Sequence, residues 1–541
     1  MEYWNLYEYS GKRKEKKAIR GTKLNNDEFH LVINAWIINE KGEFLITQRS
    51  KNKSHPLMWE CTGGSAKIGE TPIKAAIREV KEELGINVKK EDAVFIGSTR
   101  RFYDSCPDIL SVWLFKSNAK INEIKIQEEE VNDVMWATPD KIKELFKEGK
   151  FEANAFFNKT INFNNKPKIY YVGFNANNAI CNENFVDGAI TLNPNNEKGN
   201  IYYTTEYIKE KNEVFLNEYQ NFLIKTMNNL TNKNENIIFL AFNEKIKKLL
   251  SNTKDFNIIS EKNSLLISNL NNKNYTRNML KNKIPVINTT LIDKIISYDE
   301  AKEIVKSNVF VMQGINGSGG NDTFYINSKE KFEKYCDLCS NNYFLSKYIR
   351  HLPVNITIIL GKYDKVNLPI STQLIKLEDD RFKYVGADFI YSQKLNKKVI
   401  DSINNYSEII ISELKELNYQ GILGIDFIVD DNDNVYFMEI NPRYQASSFI
   451  ISKYLEKYCS TSIAELHYLA INDQYLGNNY IDKIDKSFLN CYKKNDFKEF
   501  KYFKTVNNGY YKNNKSSYFR KVYDYSILEK GNFQKRENDT K

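Results

Sequence analysis

The stretch from Gly64 to Ile86 sets the tightest limit on what this chain can become. Residues 71–84 read as an amphipathic helix, with Ile73, Ala76, Ile77, Val80 and Leu84 on one face. Pro72 suits the first turn and Gly85 the stop. Glu79, Glu82 and Glu83 stand at i, i+3 and i+4, so their carboxylates share the opposite face. Like charges there repel, and they sit at the helix end where the dipole is unfavourable to them. A divalent cation removes that conflict. Mg²⁺ takes hard oxygen ligands and bridges to phosphates, where it stabilises phosphoryl charge and acidifies an attacking water.

The rest of the chain has to supply a fold around this helix. With 541 residues, three to four domains or subdomains are expected. Hydrophobic residues at 41% and charged residues at 27% permit buried cores and argue against wholesale disorder. The net charge of +9 is small for this length, and its lysines are scattered among acids, which speaks against a nucleic-acid partner. Seven cysteines, Cys61, Cys106, Cys181, Cys336, Cys339, Cys459 and Cys491, include one close pair and no second pair to complete a zinc site. The first residues lack the apolar core of a signal peptide, and no apolar run reaches membrane-spanning length. The expectation is a reduced, soluble, cytoplasmic protein with no membrane partner.

Pattern and punctuation divide the chain into four parts. Residues 1–165 alternate strands and helices, with strands at 30–38, 43–50, 111–117 and 134–137, and a polar linker at 162–168. A second α/β block over 168–295 holds strands at 169–174, 237–242 and near Ile258. A third, over 296–475, holds a strand at 309–313, a glycine-rich stretch and a hairpin at 424–440. A C-terminal extension, 476–541, is rich in Lys, Tyr, Phe and Asn, and its structure cannot be read.

The string Gly64-x5-Glu70-x7-Arg78-Glu79-Val80-x-Glu82-Glu83-x-Gly85-Ile86 resembles the Nudix box at every specified position. The resemblance implies an α/β/α sandwich that cleaves a diphosphate linked to another moiety, with Mg²⁺ or Mn²⁺. It makes Glu79, Glu82 and Glu83 metal ligands and catalytic residues. It has Arg78 orient them, and Gly64, Glu70 and Gly85 shape the loop and helix. A further acid would come from Glu129 or Glu130. The flanks resemble Nudix relatives close to isopentenyl-diphosphate isomerases, which use a cysteine just before the box glycine. Gly63 stands there, with Cys61 two residues earlier, so hydrolysis is preferred to isomerisation. Arg49, Arg100 and Arg101 are candidates for substrate phosphates or for plain surface roles.

A second acidic constellation lies in the hairpin. Glu439 and Asn441 are two apart on a strand and share a face. A turn centred on Asn432–Asp433 would set Asp426 opposite Glu439, an unfavourable pair unless something neutralises it. Such oxygens form a hard-cation site. An EF-hand reading of the Asp/Asn turn fails, because Val435 occupies the loop's glycine place. The glycines after the 309–313 strand offer backbone amides to phosphates. With GIDFI, EINPR and KNYTRNMLKNKIPV, this region resembles the ATP-grasp superfamily over roughly 168–475.

That resemblance implies ATP between two α+β lobes. Asp426, Glu439 and Asn441 would hold Mg²⁺. Gly317, Ser318, Gly319 and Gly320 would form a lid, and Arg443 would steady a substrate carboxylate. Two positions depart from the pattern. Gln313 stands where a phosphate-binding Lys is usual, so a cation must come from elsewhere, Lys347 or Lys376. Ser346 stands where the adenine hinge carries a Glu, and Asn355 near the usual ribose acid. The chain therefore reads as an α/β and α+β multidomain enzyme: a Nudix domain, a pre-ATP-grasp α/β domain and a two-lobed ATP-grasp domain. It would hydrolyse a small-molecule diphosphate and, with ATP, join a carboxylate to an amine. The rival readings are a non-catalytic ATP-grasp sensor, a Nudix isomerase and an RNA-acting protein.

Overall fold

The computed structural model describes residues 2–477 except 175–184, 192–200, 205–212, 233–235, 254–255, 316–321, 337–341 and a few single positions. The expected lid, Gly317, Ser318, Gly319 and Gly320, lies outside the described residues, as does the extension from residue 478.

In the N-terminal part the apolar strand His30–Ile38 is central. It runs parallel to Asp108–Lys116 and antiparallel to Phe44–Arg49 and Thr62–Ser65. Strand alternation sends Ile33 and Ala35 to one face, where helix Pro72–Leu84 buries Ala75, Ala76, Val80 and Leu84 against them. Trp36 and Ile38 go to the other face, covered by Ile142, Leu145 and Phe157 from helices Pro139–Lys147 and Phe157–Ile161. Helices on both faces make the α/β/α sandwich. The expected linker carries a 3-10 turn, Phe163–Asn165, one residue after helix Phe157–Ile161.

Next comes a parallel sheet centred on Lys168–Val172, flanked by Gly188–Thr191 and Ile237–Leu240, with Ile201–Thr204 and Ile258–Ile259 outermost. Helix Glu213–Thr231 packs Tyr219, Leu223 and Met227 onto it.

A ten-stranded sheet follows. It is one hydrogen-bonded surface serving two separate cores, which defines two lobes. The first gathers Ile292, Phe310, Met312, Phe332 and Tyr343. The second gathers Val354, Ile356, Leu423, Ile425 and Phe437 with Val399 and Ile410 of helix Lys397–Glu416. Helices Ser264–Asn271 and Lys273–Leu280 add Leu270 and Leu280 to this second core.

The N- and C-terminal parts share a continuous hydrophobic cluster, with Trp36 and Tyr454 in the same core. Strand Val94–Arg101 meets helix Ser448–Cys459. Ser98 N donates to Ser460 Oγ at 3.1 Å, and Arg100 Nη1 to the Tyr458 carbonyl at 2.9 Å. Tyr9 stacks on Tyr454 at 6.0 Å.

Candidate active sites

The loop before helix Pro72–Leu84 is built around Arg78. Its Nε donates to Glu70 Oε1 at 2.7 Å and its Nη2 to the Ser65 carbonyl at 3.1 Å. Glu70 also accepts from the Lys67 amide at 2.7 Å. Nη1 of the same guanidinium lies 2.8 Å from Glu79 and 2.7 Å from Glu82. Gly64 pairs with Ile33 across the sheet, and a Cβ there would overlap the Glu79 carboxylate. Gly85 closes the helix at φ 69°, a left-handed conformation that favours glycine, its N–H donating to the Lys81 carbonyl.

The three glutamates differ in setting. Glu82 is the most exposed and is also paired with Lys67 at 3.1 Å. Burial pushes its pKa up, but the bonds from Arg78 and Lys67 outweigh this and leave it lowered. Burial raises Glu79 despite Arg78. Glu83 is 5% exposed, and its carboxylate has no hydrogen-bond or ion-pair partner among the described residues. Burial raises its carboxyl well above the usual range; the nearby charge of Lys53 opposes the rise, and those of Glu79, Glu60 and Glu130 add to it. Glu130 holds Lys53 at 2.5 Å, and of the two candidates for a further acid it is the one close enough to act on Glu83. Glu60, which sequence reasoning missed, belongs to the same group and is paired with Arg49 at 2.6 Å. As placed, no three acidic, His or Cys side chains among the described residues close on one point, because Glu79 and Glu82 turn towards Arg78. The donor set nonetheless suits a hard cation: all oxygen, with a buried carboxylate lacking a counter-charge in contact.

The three candidate phosphate-binding arginines have other duties. Arg49 holds Glu60 and the Ser54 carbonyl. Arg101 is paired with buried Asp108 at 2.7 Å. Arg100 bonds the carbonyls of Tyr9 and Tyr458 at the domain junction. Cys61 is 1% exposed, and burial raises its thiol far from thiolate formation. A buried thiol held protonated is not a ready proton acceptor. Nor can position 63 take a cysteine easily, since a Cβ on Gly63 would lie 2.6 Å from the Ile33 carbonyl and the Asn34 amide.

In the C-terminal part, strands Gly421–Asp430 and Val435–Asn441 set Asp426 opposite Glu439 and Gly424 opposite Asn441. A register shift between Asp426 and Phe427 offsets the pairs nearer the turn. Asp426 accepts hydrogen bonds from Asn355 (2.6 Å), Gln373 (2.9 Å) and Asn441 (2.9 Å). Asn355 sits directly across from Asp426 and donates to it, which groups it with the acids. Burial first, then the Glu439 charge, pushes Asp426 up to about 7, although Asn355 and Gln373 oppose the rise. Asn441 also donates to Glu439 at 3.3 Å and accepts from Arg443 at 3.1 Å. Lys273, buried on helix Lys273–Leu280, reaches Glu439 at 3.6 Å. These oxygens fit a hard cation as well, with two acids side by side in a site lined by amides.

Gln313 lies on the first lobe, its Nε2 donating to Thr323 at 3.3 Å and its Oε1 accepting from Arg277 at 2.9 Å. Ser346 is buried in the neighbouring strand Tyr343–Lys347. Lys347 points to solvent at the end of that strand, and the side chain of Lys376 is outside the described set. The basic residues turned towards the acids are instead Lys273 and Arg277. Both were visible in KNYTRNMLKNKIPV as an i, i+4 pair, which is the signal that reasoning on strand positions alone passes over.

The NUDIX domain model matches residues 28–158, and an ATP-grasp domain model matches residues 270–447. An uncharacterized Nudix hydrolase of Listeria innocua serovar 6a is 35% identical over 175 residues, covering 32% of this chain and 100% of that protein. The isopentenyl-diphosphate Delta-isomerase of Escherichia coli O127:H6 is 26% identical over 117 residues, 20% of this chain and 60% of the relative. Among solved structures, the ADP complex of N5-carboxyaminoimidazole synthetase from Staphylococcus aureus aligns with a TM-score of 0.39 at 16% identity, over 58% of this chain and 79% of that one. Biotin carboxylase from Campylobacter jejuni aligns at 0.44 and 16% identity, over 57% and 72%. The chain belongs to the Nudix hydrolases through its N-terminal domain and carries an ATP-grasp domain behind it. No helix among the described residues is long and apolar enough to cross a membrane.

Proposed function

We propose that the chain is a bifunctional enzyme: a divalent-metal-dependent hydrolase of a diphosphate-linked small molecule, joined to an ATP-dependent carboxylate–amine ligase. The observation that carries the first half is Glu83, a buried carboxylate beside Glu79 and Glu60 with no cation in contact. Glu79, Glu82 and Glu83 would hold the metal. A bound Mg²⁺ or Mn²⁺ would stabilise phosphoryl charge and acidify the attacking water. Arg78 keeps Glu79 and Glu82 on one side of the helix and ties that helix to the Ser65–Glu70 loop. When a cation takes the glutamates, Arg78 retains Glu70 and the Ser65 carbonyl, so the loop keeps its shape.

The second half rests on Asp426, Glu439 and Asn441, which would hold Mg²⁺ with ATP. Arg443, fixed to Asn441, would orient a substrate carboxylate. We propose the same division as the sequence suggests, 1–165, 168–295, 296–475 and 476–541, with helix Lys273–Leu280 contributing to the nucleotide site. Release of phosphate or nucleotide from a panel of diphosphate compounds, with and without Mg²⁺, tests the hydrolase. Release of ADP on adding carboxylate and amine pairs tests the ligase. Gln313, an amide where a phosphate-binding lysine is expected, favours one second reading, an ATP-grasp module that binds nucleotide without turnover. Binding without ADP release across the panel would select it.

A further inference from the structure

The helix Lys273–Leu280 carries two buried cations one turn apart, Lys273 at 4% and Arg277 at 5% exposure. Lys273 faces Glu439. Arg277 is held on three sides. Its Nε donates to the Met438 carbonyl at 3.2 Å, its Nη2 donates to Gln313 Oε1 at 2.9 Å, and its guanidinium lies 5.1 Å from the Phe344 ring centre. Gln313 and Phe344 are direct partners across neighbouring strands, so the guanidinium spans the position where a strand cation is missing. The remaining nitrogen, Nη1, is buried and has no partner among the described residues. Building on the nucleotide-binding reading above, we infer that Arg277 supplies the phosphate-binding cation absent at position 313, with Gln313 acting as the bracket that positions it.

The physical case is one of charge and donors. An unpaired donor on a buried cation is costly unless an anion meets it. The acid nearest both cations is Glu439, which Lys273 already engages. Burial lowers Arg277 to about 10, still charged at neutral pH. A glutamine at 313 is then a fit and not a loss. A lysine there would set a second cation against Arg277, whereas the Gln313 carbonyl oxygen accepts its hydrogen bond. Arg also suits phosphate oxygens better than Lys, having a fixed fork of donors.

Calorimetric binding of ADP and of adenosine, with Mg²⁺, separates phosphate recognition from recognition of the rest of the nucleotide. Arg277→Met is expected to weaken ADP about 10- to 100-fold and to leave adenosine unchanged. Adding Gln313→Lys to Arg277→Met should restore ADP binding by returning a cation to the strand. A folded Arg277→Met protein that binds ADP normally, or a folded double variant with no recovery, overturns the inference. If Arg277→Met does not fold, Arg277→Lys keeps the charge but loses the fork. It should weaken ADP several-fold and spare adenosine, and equal weakening of both would assign Arg277 to structure alone. A native chain that binds no ADP defeats the nucleotide-binding reading itself, and this inference with it, whatever the variants do.

Discussion

Around Glu79, Glu82 and Glu83 the main counter-charge is a guanidinium from the same helix, with Lys67 on Glu82, while around Asp426 and Glu439 it is a ring of amides from three strands with a lysine 3.6 Å away. In the first cluster Arg78 engages Glu79 and Glu82 but not Glu83, whose burial is eased only at a distance by Lys53, itself paired with Glu130. In the second, the amides disperse the charge and a proton does the rest, with Asp426 near 7. On the proposed reading, the first cluster would gain from a cation through one buried carboxylate, and the second through a pair of acids already hydrogen-bonded to amides. Local sequence builds the first within about twenty residues. The second is assembled from strands more than eighty residues apart.

Removing Glu83 should have the largest effect. Glu83→Gln keeps the shape and removes the charge, and should lower Mg²⁺-dependent hydrolysis about 1000-fold while leaving ADP affinity unchanged. Steady-state phosphate release checks it, and a loss under tenfold would break the asymmetry drawn above. Glu439→Gln should lower Mg²⁺-dependent ADP affinity about 10- to 100-fold and spare hydrolysis. Calorimetry in Mg²⁺ and in EDTA reads the difference, and an equal loss in both would mean Glu439 does not act through metal.

Smaller effects sharpen the picture. Gly64→Ala pushes a methyl into the Glu79 carboxylate and should cost about 1–3 kcal/mol of stability, seen in urea unfolding. Hydrolysis should fall with it, and a neutral outcome would free Glu79 from its assigned place. For pH, Asp426 has a folded pKa of about 7 against about 3.9 unfolded. Its stabilising contribution is complete below the unfolded value and is lost as pH rises towards 7. Cation-free protein should thus lose more melting temperature between pH 5 and pH 8 than its Asp426→Asn variant does. Matching slopes by calorimetry in EDTA would remove Asp426 from the explanation.

Much of the fold was legible because it is carried by local pattern. The helix Pro72–Leu84 follows from its apolar stripe, Pro72 and Gly85, and the strand His30–Ile38 agrees to the residue with its apolar run. The opposition of Asp426 and Glu439 also follows from a hairpin count, yet the pairs nearer the turn are shifted by one, and only the irregularity at Asp426/Phe427 brings the acids level. Asn355 and Gln373 were not legible as partners of Asp426, since strand order across a ten-stranded sheet is not encoded in any one segment. The contact between Arg277 and Gln313 was illegible for a similar reason. Lys347 and Lys376 lie on strands, whereas Arg277, the cation that contacts Gln313, stands on a helix more than thirty residues earlier in the chain and reaches Met438 and Gln313 only through the fold.

The central claim is that two separate acidic clusters each hold their own divalent cation. Titrating Mn²⁺ into the full chain with ADP present, followed by electron paramagnetic resonance, counts those sites directly. Glu83→Gln should remove one class of bound Mn²⁺, Glu439→Gln a different class, and the double variant both. If the two single variants deplete the same class, or neither changes the count, the two-cation account is contradicted.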